Sequence, residues 1–365
     1  MICPNRPRQS ACQRKVSRLN NTRIFLPALL LLIAANCAWS QRGMAPFDIH
    51  HGDAVPRDVR ELYEQGLGYL SDTQTEKGIW QGGQQGAGVT GMALMTFLAS
   101  GEDPNFGKYS QQVKKAVKGL VDAQDQKTGY FGGSMYHHGF GMLGLAEAYG
   151  AVDDRRIWSL NSKKSIAKSL ELAVRCAITS QKKNSVGGWR YSPEASDADT
   201  SVSGAVLVGL LAARNAGIEV PDKSIDRAIK YYQSMTSDAG MVGYSGGMGG
   251  MGESLARSSI AGLVFAIARR KDLKQFKNTV NYLAGEVESD ASGHYQSYTR
   301  YYQAQALFQG DMDAWAKWNK LLIERLKSSQ GEDGSFTGPF GKPVDTSLSL
   351  LSLALNYRFL PIYER

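Results

Sequence analysis

Apolar residues at helical spacing divide residues 57–365 into twelve segments, joined in pairs by connections rich in glycine and aromatic residues. The first member of each pair is predicted to be an outer helix, at about 58–72, 112–124, 165–180, 223–235, 273–287 and 314–329. The second is predicted to be an inner helix, at about 89–99, 138–149, 200–213, 253–268, 298–308 and 345–357. The pattern therefore predicts six helical hairpins.

The third hairpin, at 180–217, shows the design most fully. Gln181 is followed by a connection containing Gly187-Gly188-Trp189, and Asp199-Thr200-Ser201 then opens the inner helix. Short side-chain oxygens suit that position, because they accept hydrogen bonds from the free N–H groups of a first helical turn. Gly217 is predicted to end the helix, because glycine adopts left-handed backbone without a steric penalty.

One aromatic residue in each connection marks the repeat, and the marks fall about 41–58 residues apart at Trp80, Phe131, Trp189, Tyr244, Tyr295 and Phe336. We expect these residues to be packing anchors between neighbouring hairpins. The inner segments 89–99, 200–213 and 258–268 are apolar around nearly their whole surface, which is typical of a buried helix. Six such hairpins favour closure into a ring over an open solenoid. The predicted fold is all-α, a single (α/α)6 toroid.

The first forty residues differ from the rest of the chain. Six basic residues precede an apolar run at 24–35, and the segment ends Ala38-Trp39-Ser40, which is the layout of a secretory signal peptide cleaved after Ser40. The run is short for a membrane span, and no later stretch is apolar enough to be one. We therefore predict a secreted or periplasmic protein with a poorly ordered leader at 41–56.

Removal of residues 1–40 takes away six of the 42 basic residues and none of the 34 acidic residues, which leaves a net charge of about +2. A basic surface for nucleic acid is therefore not predicted. Cys176 is the only cysteine left, so no intrachain disulfide forms.

The connections Gln74-x-x-x-Gly78-x-Trp80 and Gln330-x-x-x-Gly334-x-Phe336, the Asp-Thr-Ser helix openings and the ending at 356–363 resemble the squalene cyclase/protein prenyltransferase superfamily. In particular, the chain resembles secreted bacterial proteins with prenyltransferase and squalene-oxidase-type repeats. The resemblance covers 57–365 and implies the terpenoid cyclase/prenyltransferase toroid.

The catalytic sets implied by this resemblance are each incomplete. Cyclases of the superfamily use Asp-x-Asp-Asp, whereas this chain has Asp197-Ala198-Asp199-Thr200, with Ala198 in the place of the proton donor. Asp197 and Asp199 remain candidate acids, although Asp199 is also explained as a helix cap. Prenyltransferases hold zinc with a cysteine, and Cys176 lies within an outer helix. We predict no metal site and no cofactor.

All six inner helices begin at the same end of a ring, so the polar residues near their first turns are expected to converge at one mouth. Partial positive charge at helix N-termini suits an anion or a polar head group there. His137 and His138 point about 100° apart on a helix, so one of them lines the cavity and the other packs; we assign His138 to the mouth. The candidate ligand-binding residues are His138, Asp199, Glu253, Arg257, Tyr298, Tyr301 and Asp345, with Arg300 and Tyr302 beside them. Alternatively, the acids only neutralise helix ends and pair with Arg257 or Arg300.

Three functions are compatible with these residues. The first is a non-catalytic module whose cavity or mouth holds a small apolar ligand or a segment of a protein partner. The second is a cyclase-like enzyme on isoprenoid lipids, with Asp197 or Asp199 as the acid. The third is a carbohydrate-active lyase or hydrolase, for which Asp199 and Glu253 are the candidate carboxylate pair.

Overall fold

Twelve α-helices alternate between an outer and an inner layer in the computed structural model, which describes residues 55–159, 161–246, 254–289 and 295–363. The outer helices are α1 (Arg57–Thr73), α3 (Ser110–Ala123), α5 (Ile166–Lys182), α7 (Asp222–Met235), α9 (Lys274–Gly285) and α11 (Met312–Ser329). The inner helices are α2 (Ala87–Leu98), α4 (Met135–Ala148), α6 (Thr200–Asn215), α8 (Leu255–Ile267), α10 (Gln296–Gly310) and α12 (Lys342–Leu353). Short 3₁₀ turns lie at Asp154–Arg156, Ala354–Asn356 and Pro361–Tyr363. The described residues contain isolated β-bridges but no strand.

The six hairpins close into a ring. Each inner helix contacts the next inner helix, and α12 returns to contact α2. In the outer layer, Gln330 after α11 donates a hydrogen bond from Nε2 to the carbonyl of Leu62 in α1 at 2.9 Å, and Lys327 pairs with Asp58 at 3.3 Å. The all-α (α/α)6 toroid predicted from the hydrophobic pattern is therefore confirmed.

Close backbone contact between inner helices explains why these segments are rich in small residues. Every residue of α2 is buried. A Cβ atom on Gly91 of α2 would lie 2.3 Å from the carbonyl oxygen of Phe140 in α4, and one on Gly139 of α4 would lie 2.5 Å from the carbonyl carbon of Ala205 in α6. Any side chain at these glycines would push the two helices apart.

A repeated glutamine fastens four of the six connections to the next outer helix. Gln181 Nε2 donates to the carbonyls of Gly187, in its own connection, at 2.6 Å and of Ser224, in the first turn of α7, at 2.8 Å. The equivalent glutamines after α1, α3 and α11 bond in the same way, at Gln74, Gln124 and Gln330. We call this pair of hydrogen bonds the glutamine clamp, and it explains the role of glutamine in the glutamine–glycine–aromatic motif.

The aromatic marks divide into two groups. Trp80, Phe131, Trp189 and Phe336 are buried as predicted, and the indole N–H groups of Trp80 and Trp189 donate to carbonyls of their own outer helices at 2.8 Å. Tyr295 is 55% exposed, so the prediction that it is a packing anchor is wrong. Both Tyr295 and Tyr244 line the cavity described below.

Two inner helices begin three residues earlier than predicted. α4 begins at Met135 with Ser134 as its cap, and α12 begins at Lys342 after Gly341. Asp345 therefore lies inside the first turn of α12, and the prediction that it caps this helix is wrong. The cap predicted for α6 is confirmed, because Asp199 Oδ1 accepts a hydrogen bond from the N–H of Val202 at 2.8 Å.

The predicted signal peptide, and the predicted leader up to residue 54, lie outside the described residues. Among the helices at 55–363 that the structure describes, none combines the length and the apolar character that crossing a membrane requires.

Candidate functional site

A cavity of about 580 Å³ lies where the N-terminal ends of the inner helices converge. Val89, Met92, Phe140, Val344 and Leu348 are its least exposed described lining residues, and they make an apolar floor. Seven of the described lining residues are aromatic: Tyr136, Phe140, Tyr191, Tyr244, Tyr295, Tyr298 and Phe340. The cavity is therefore an apolar pocket with a rim of tyrosines.

Arg257 and Arg190 hold one side of the rim through the ring of Tyr244. Their guanidinium carbons lie 5.6 Å and 5.3 Å from the centre of that ring, which is cation–π distance. The hydroxyls of Tyr191 and Tyr244 are hydrogen-bonded at 3.2 Å. Arg257 also donates from Nε to the carbonyl of Val242 at 3.2 Å, and burial lowers the pKa of its guanidinium.

The opposite side of the rim is an exposed aromatic stack. The rings of Tyr295 and Phe340 lie 5.6 Å apart and are inclined by 24°. Phe340 in turn meets the ring of Tyr298 edge-on at 6.4 Å. These contacts orient the stack over the mouth of the cavity.

Asp199 lies outside the cavity lining and is linked to the rim residue Tyr244 through Arg190. Its carboxylate is fully buried, its Oδ2 has no hydrogen-bond partner, and this atom lies 3.7 Å from Nε of Arg190. Arg190 is also 3.7 Å from the largely exposed carboxylate of Asp197. Burial raises the pKa of Asp199 from 3.8 to about 6. Asp199 thus caps α6 through Oδ1, while its buried Oδ2 faces Arg190 without a hydrogen bond.

We expect the stability of the fold to depend on the protonation of Asp199. Unfolded Asp199 loses its proton near its usual pKa of 3.8, whereas the folded carboxyl keeps its proton up to about pH 6. The stability contributed by the protonated form is therefore fully present below about pH 4 and is lost as pH rises through 6. Asp199→Asn keeps a good helix cap without the charge, so near pH 8 this variant should be more stable by about 1–2 kcal/mol.

Urea unfolding of both proteins at a series of pH values tests this expectation. The advantage of Asp199→Asn should shrink towards pH 4. An advantage that does not change with pH would show that the Asp199 carboxyl does not titrate in this range.

Two of the predicted site residues line the cavity, Arg257 and Tyr298, and Glu253 lies outside the described residues. His138 does not line it, and its neighbour His137 does. His138 is fully buried between the rings of Tyr130 and Phe131, with Nε2 3.0 Å from the carbonyl oxygen of Ala173, and burial lowers its pKa to about 4. The earlier start of α4 explains this exchange of the two histidines.

Tyr301 and Asp345 are also buried rather than exposed at the mouth. The ring of Tyr301 packs against Phe140 at 6.1 Å. Asp345 accepts hydrogen bonds from Ser297 Oγ at 2.6 Å and from the N–H of Phe340 at 3.1 Å, so it positions the Tyr295–Phe340 stack. Arg300 and Tyr302, predicted beside these residues, are buried in α10.

The sequence reasoning missed Tyr136, His137, Arg190, Tyr191 and Phe340. Arg190 and Tyr191 directly follow the buried anchor Trp189. In extended backbone, successive side chains point in opposite directions. The residue after each buried aromatic anchor was therefore the position in the sequence at which a rim residue could have been predicted. Among the described residues, no group of three His, Cys, Asp or Glu side chains is arranged to hold a metal ion.

A protein family described as "Domain of unknown function (DUF6288)" matches residues 60–335. The chain belongs to this family. No curated protein sequence matches the chain.

Solved structures similar to this DUF6288 protein show the same fold. The α-1,6-mannanase GH76A of Salegentibacter sp. HEL1_6 aligns with a TM-score of 0.60 at 10% identity, over 82% of this chain and 98% of the enzyme. The type II terpene cyclase MstE from Scytonema aligns with a TM-score of 0.56 at 14% identity, over 83% and 99% of the two chains. MstE has also been solved in complex with geranylgeranyl dihydroxybenzoate, and an inactive mannanase variant with α-1,6-mannotriose. At these identities the likeness establishes the fold alone.

Proposed function

We propose that the mouth cavity binds an amphiphilic small molecule, with its apolar body against the floor and an anionic head at the rim. The observation that carries this proposal is the division of the lining. The least exposed lining residues are apolar, whereas the rim offers tyrosine hydroxyls and the charge of Arg257. Helix N-termini add partial positive charge at the same place.

Similarity of fold supports an amphiphile without establishing one. Geranylgeranyl dihydroxybenzoate, which MstE binds, joins an isoprenoid chain to a benzoate head. The resemblance of the repeats to the squalene cyclase/prenyltransferase superfamily points in the same direction. Together with the signal-peptide pattern at 1–40, these similarities support our proposal of an exported binding protein for isoprenoid-like or other anionic lipids.

We infer binding rather than turnover because a proton donor must touch its substrate, and neither Asp197 nor Asp199 is among the described lining residues. Asp197 is largely exposed and faces Arg190, and Asp199 caps a helix. Both of these carboxyl groups thus have structural partners.

Decyl phosphate, decanol and inorganic phosphate separate the contributions of the head and the body. Calorimetric titration of the wild-type protein should show binding of decyl phosphate, weaker binding of decanol and none of inorganic phosphate. Arg257→Gln should weaken decyl phosphate binding about 10- to 100-fold, which is the effect of losing one charge-assisted hydrogen bond, and leave decanol unchanged.

Arg175→Gln is the matched control, since Arg175 lies on the exposed face of the outer helix α5 and bonds only a loop carbonyl. Its affinity for decyl phosphate should equal that of the wild type. A wild-type protein that binds neither decyl compound, or an Arg257→Gln variant with wild-type affinity, would contradict the proposal.

A second candidate is an enzyme that uses Asp199 as an acid on isoprenoid lipids. The raised pKa of about 6 favours it, because part of this carboxyl is then protonated near neutral pH. Loss of turnover in Asp199→Asn, with the fold intact, would support catalysis. Equal activity of the two proteins in a lipid-turnover assay would exclude Asp199 as the acid.

A third candidate is a carbohydrate hydrolase, favoured by the similarity in fold to the mannanase. Glycoside hydrolysis requires two carboxyl groups on either side of the bond that is cleaved. Asp199 is the buried member of the suggested pair and Glu253 is the other. Incubation with α-1,6-mannan decides this candidate, because hydrolysis must produce new reducing ends.

A further inference from the structure

Two residues other than glycine hold left-handed backbone in the described part of the chain, Arg269 with φ 60° and Arg358 with φ 58°. A side chain at such a position clashes with the backbone, so glycine is the usual choice. Gly217 has that role after α6, where the N–H of Ile218 bonds the carbonyl of Ala213. After α8 the same turn forms, with the N–H of Arg270 bonded to the carbonyl of Phe265, but Arg269 occupies the glycine position.

Packing explains one of these arginines and not the other. The guanidinium of Arg358 lies 5.2 Å from the centre of the Phe308 ring, a contact that glycine would lose. The side chain of Arg269 is exposed and makes no hydrogen bond or ion pair with any described residue. A charge near a helix C-terminus stabilises it, but at an exposed site by less than left-handed backbone costs. Backbone strain without a structural reason is typical of functional positions.

Arg269 lines a second cavity, of about 480 Å³, at the opposite end of the inner helices from the mouth. The C-terminal ends of α6 and α8 and the first turn of α7 enclose it. Arg214 and Arg270 also line it, and each is oriented by an aspartate, Asp222 at 3.3 Å and Asp272 at 3.1 Å. Three guanidinium groups from two helix ends therefore meet in one groove.

The acidic lining residues limit the kind of ligand, and Asn215 is a further polar lining residue. Asp222 and Asp226 place two carboxylates beside the three arginines. Carboxylates only accept hydrogen bonds and guanidinium groups only donate them. A ligand that satisfies both combines an oxyanion with hydrogen-bond donors, and the hydroxyl groups of a sugar are donors of this kind.

We propose that this groove binds a hydroxylated oxyanion, either a sugar phosphate or a uronate. The oxyanion bonds the guanidinium groups of Arg214, Arg269 and Arg270, and ring hydroxyls donate to Asp222 and Asp226. The contact of Arg269 with the oxyanion explains why this position carries an arginine rather than glycine, despite its left-handed backbone. The site is separate from the mouth cavity and does not depend on the function proposed for it.

Arg269→Gly tests the proposal because it relieves the strain while it removes the charge. Titration of the wild-type protein with glucose 6-phosphate and with glucuronate should show binding of at least one, and much weaker binding of glucose or inorganic phosphate. In Arg269→Gly the affinity should fall about 10- to 100-fold, while the melting temperature stays at or above that of the wild type. The response to each probe distinguishes the phosphate source from the carboxylate source.

Arg358→Gly is the matched control, since it makes the same backbone change at the other left-handed arginine. It should retain wild-type affinity for the same probe, because Arg358 is not among the residues that line this cavity. The proposal is overturned if the wild-type protein binds neither probe at about 10 mM, or if Arg269→Gly binds as tightly as the wild type. Binding of decyl phosphate at the mouth is measured separately, so either result leaves the mouth proposal intact.

Discussion

Gly139→Ala is expected to lower the free energy of unfolding by about 2–3 kcal/mol. The added Cβ would lie 2.5 Å from the carbonyl carbon of Ala205, and backbone cannot move aside as a flexible side chain can. α4 and α6 would have to separate, and each of them is also packed against another inner helix of the ring. The preference of helices for alanine over glycine offsets only about 1 kcal/mol of this loss.

Gly68→Ala provides the matched control for this substitution. Gly68 lies in the outer helix α1, and nothing stands within 4 Å of a Cβ atom placed there. The same change should therefore raise the free energy of unfolding by about 0.5–1 kcal/mol. Guanidinium unfolding followed by circular dichroism measures both variants. Shifts in the same direction for the two would show that the inner helices are not packed backbone to backbone.

Gln181→Ala is expected to destabilise the protein by about 2–4 kcal/mol. Gln181 is buried, and its Nε2 serves two buried carbonyls, those of Gly187 and Ser224, at 2.6 and 2.8 Å. Without the amide, both buried oxygens lose this donor.

The same substitution at Gln74 should cost about 1 kcal/mol. Gln74 is half-buried, and its bonds to the carbonyls of Gln112 and Gly78 are longer, at 3.0 and 3.4 Å, so water replaces the amide more easily. Equal losses at the two sites would contradict this account of the clamp. Chemical denaturation of the two variants in parallel makes the comparison.

Hydrophobic periodicity was sufficient to predict the fold, because a helix that is apolar on all sides has to be buried, and three such inner segments among six hairpins favoured a closed ring. Gly-rich connections and Asp199 supplied the helix boundaries near the third hairpin. The boundary of α12 was missed because Asp345 has the appearance of a cap in sequence, whereas its carboxylate actually bonds Ser297 and Phe340 across the ring.

The candidate site was predicted less well than the fold, and His138 shows why. α4 begins three residues earlier than predicted, so His138 is its fourth residue rather than its first. His137, which points about 100° away from it around the helix, lines the cavity instead. The rim residues Tyr191 and Phe340 lie in irregular connections, where no periodicity indicates the direction of a side chain. Arg257 and Tyr298 were placed correctly because they lie in first turns of inner helices.

The contact between the first and last hairpins has a consequence for how the chain folds. Gln330 and Leu62 are 268 residues apart, so the ring closes only after nearly the whole chain is available. Until then α2 and α10 each present an apolar face to water, since α12 is the helix that covers both. An open solenoid can nucleate anywhere and grow, whereas this ring must bring distant segments together before its interior is dry, which slows folding. The chain is therefore most prone to aggregate before its last hairpin docks and closes the ring.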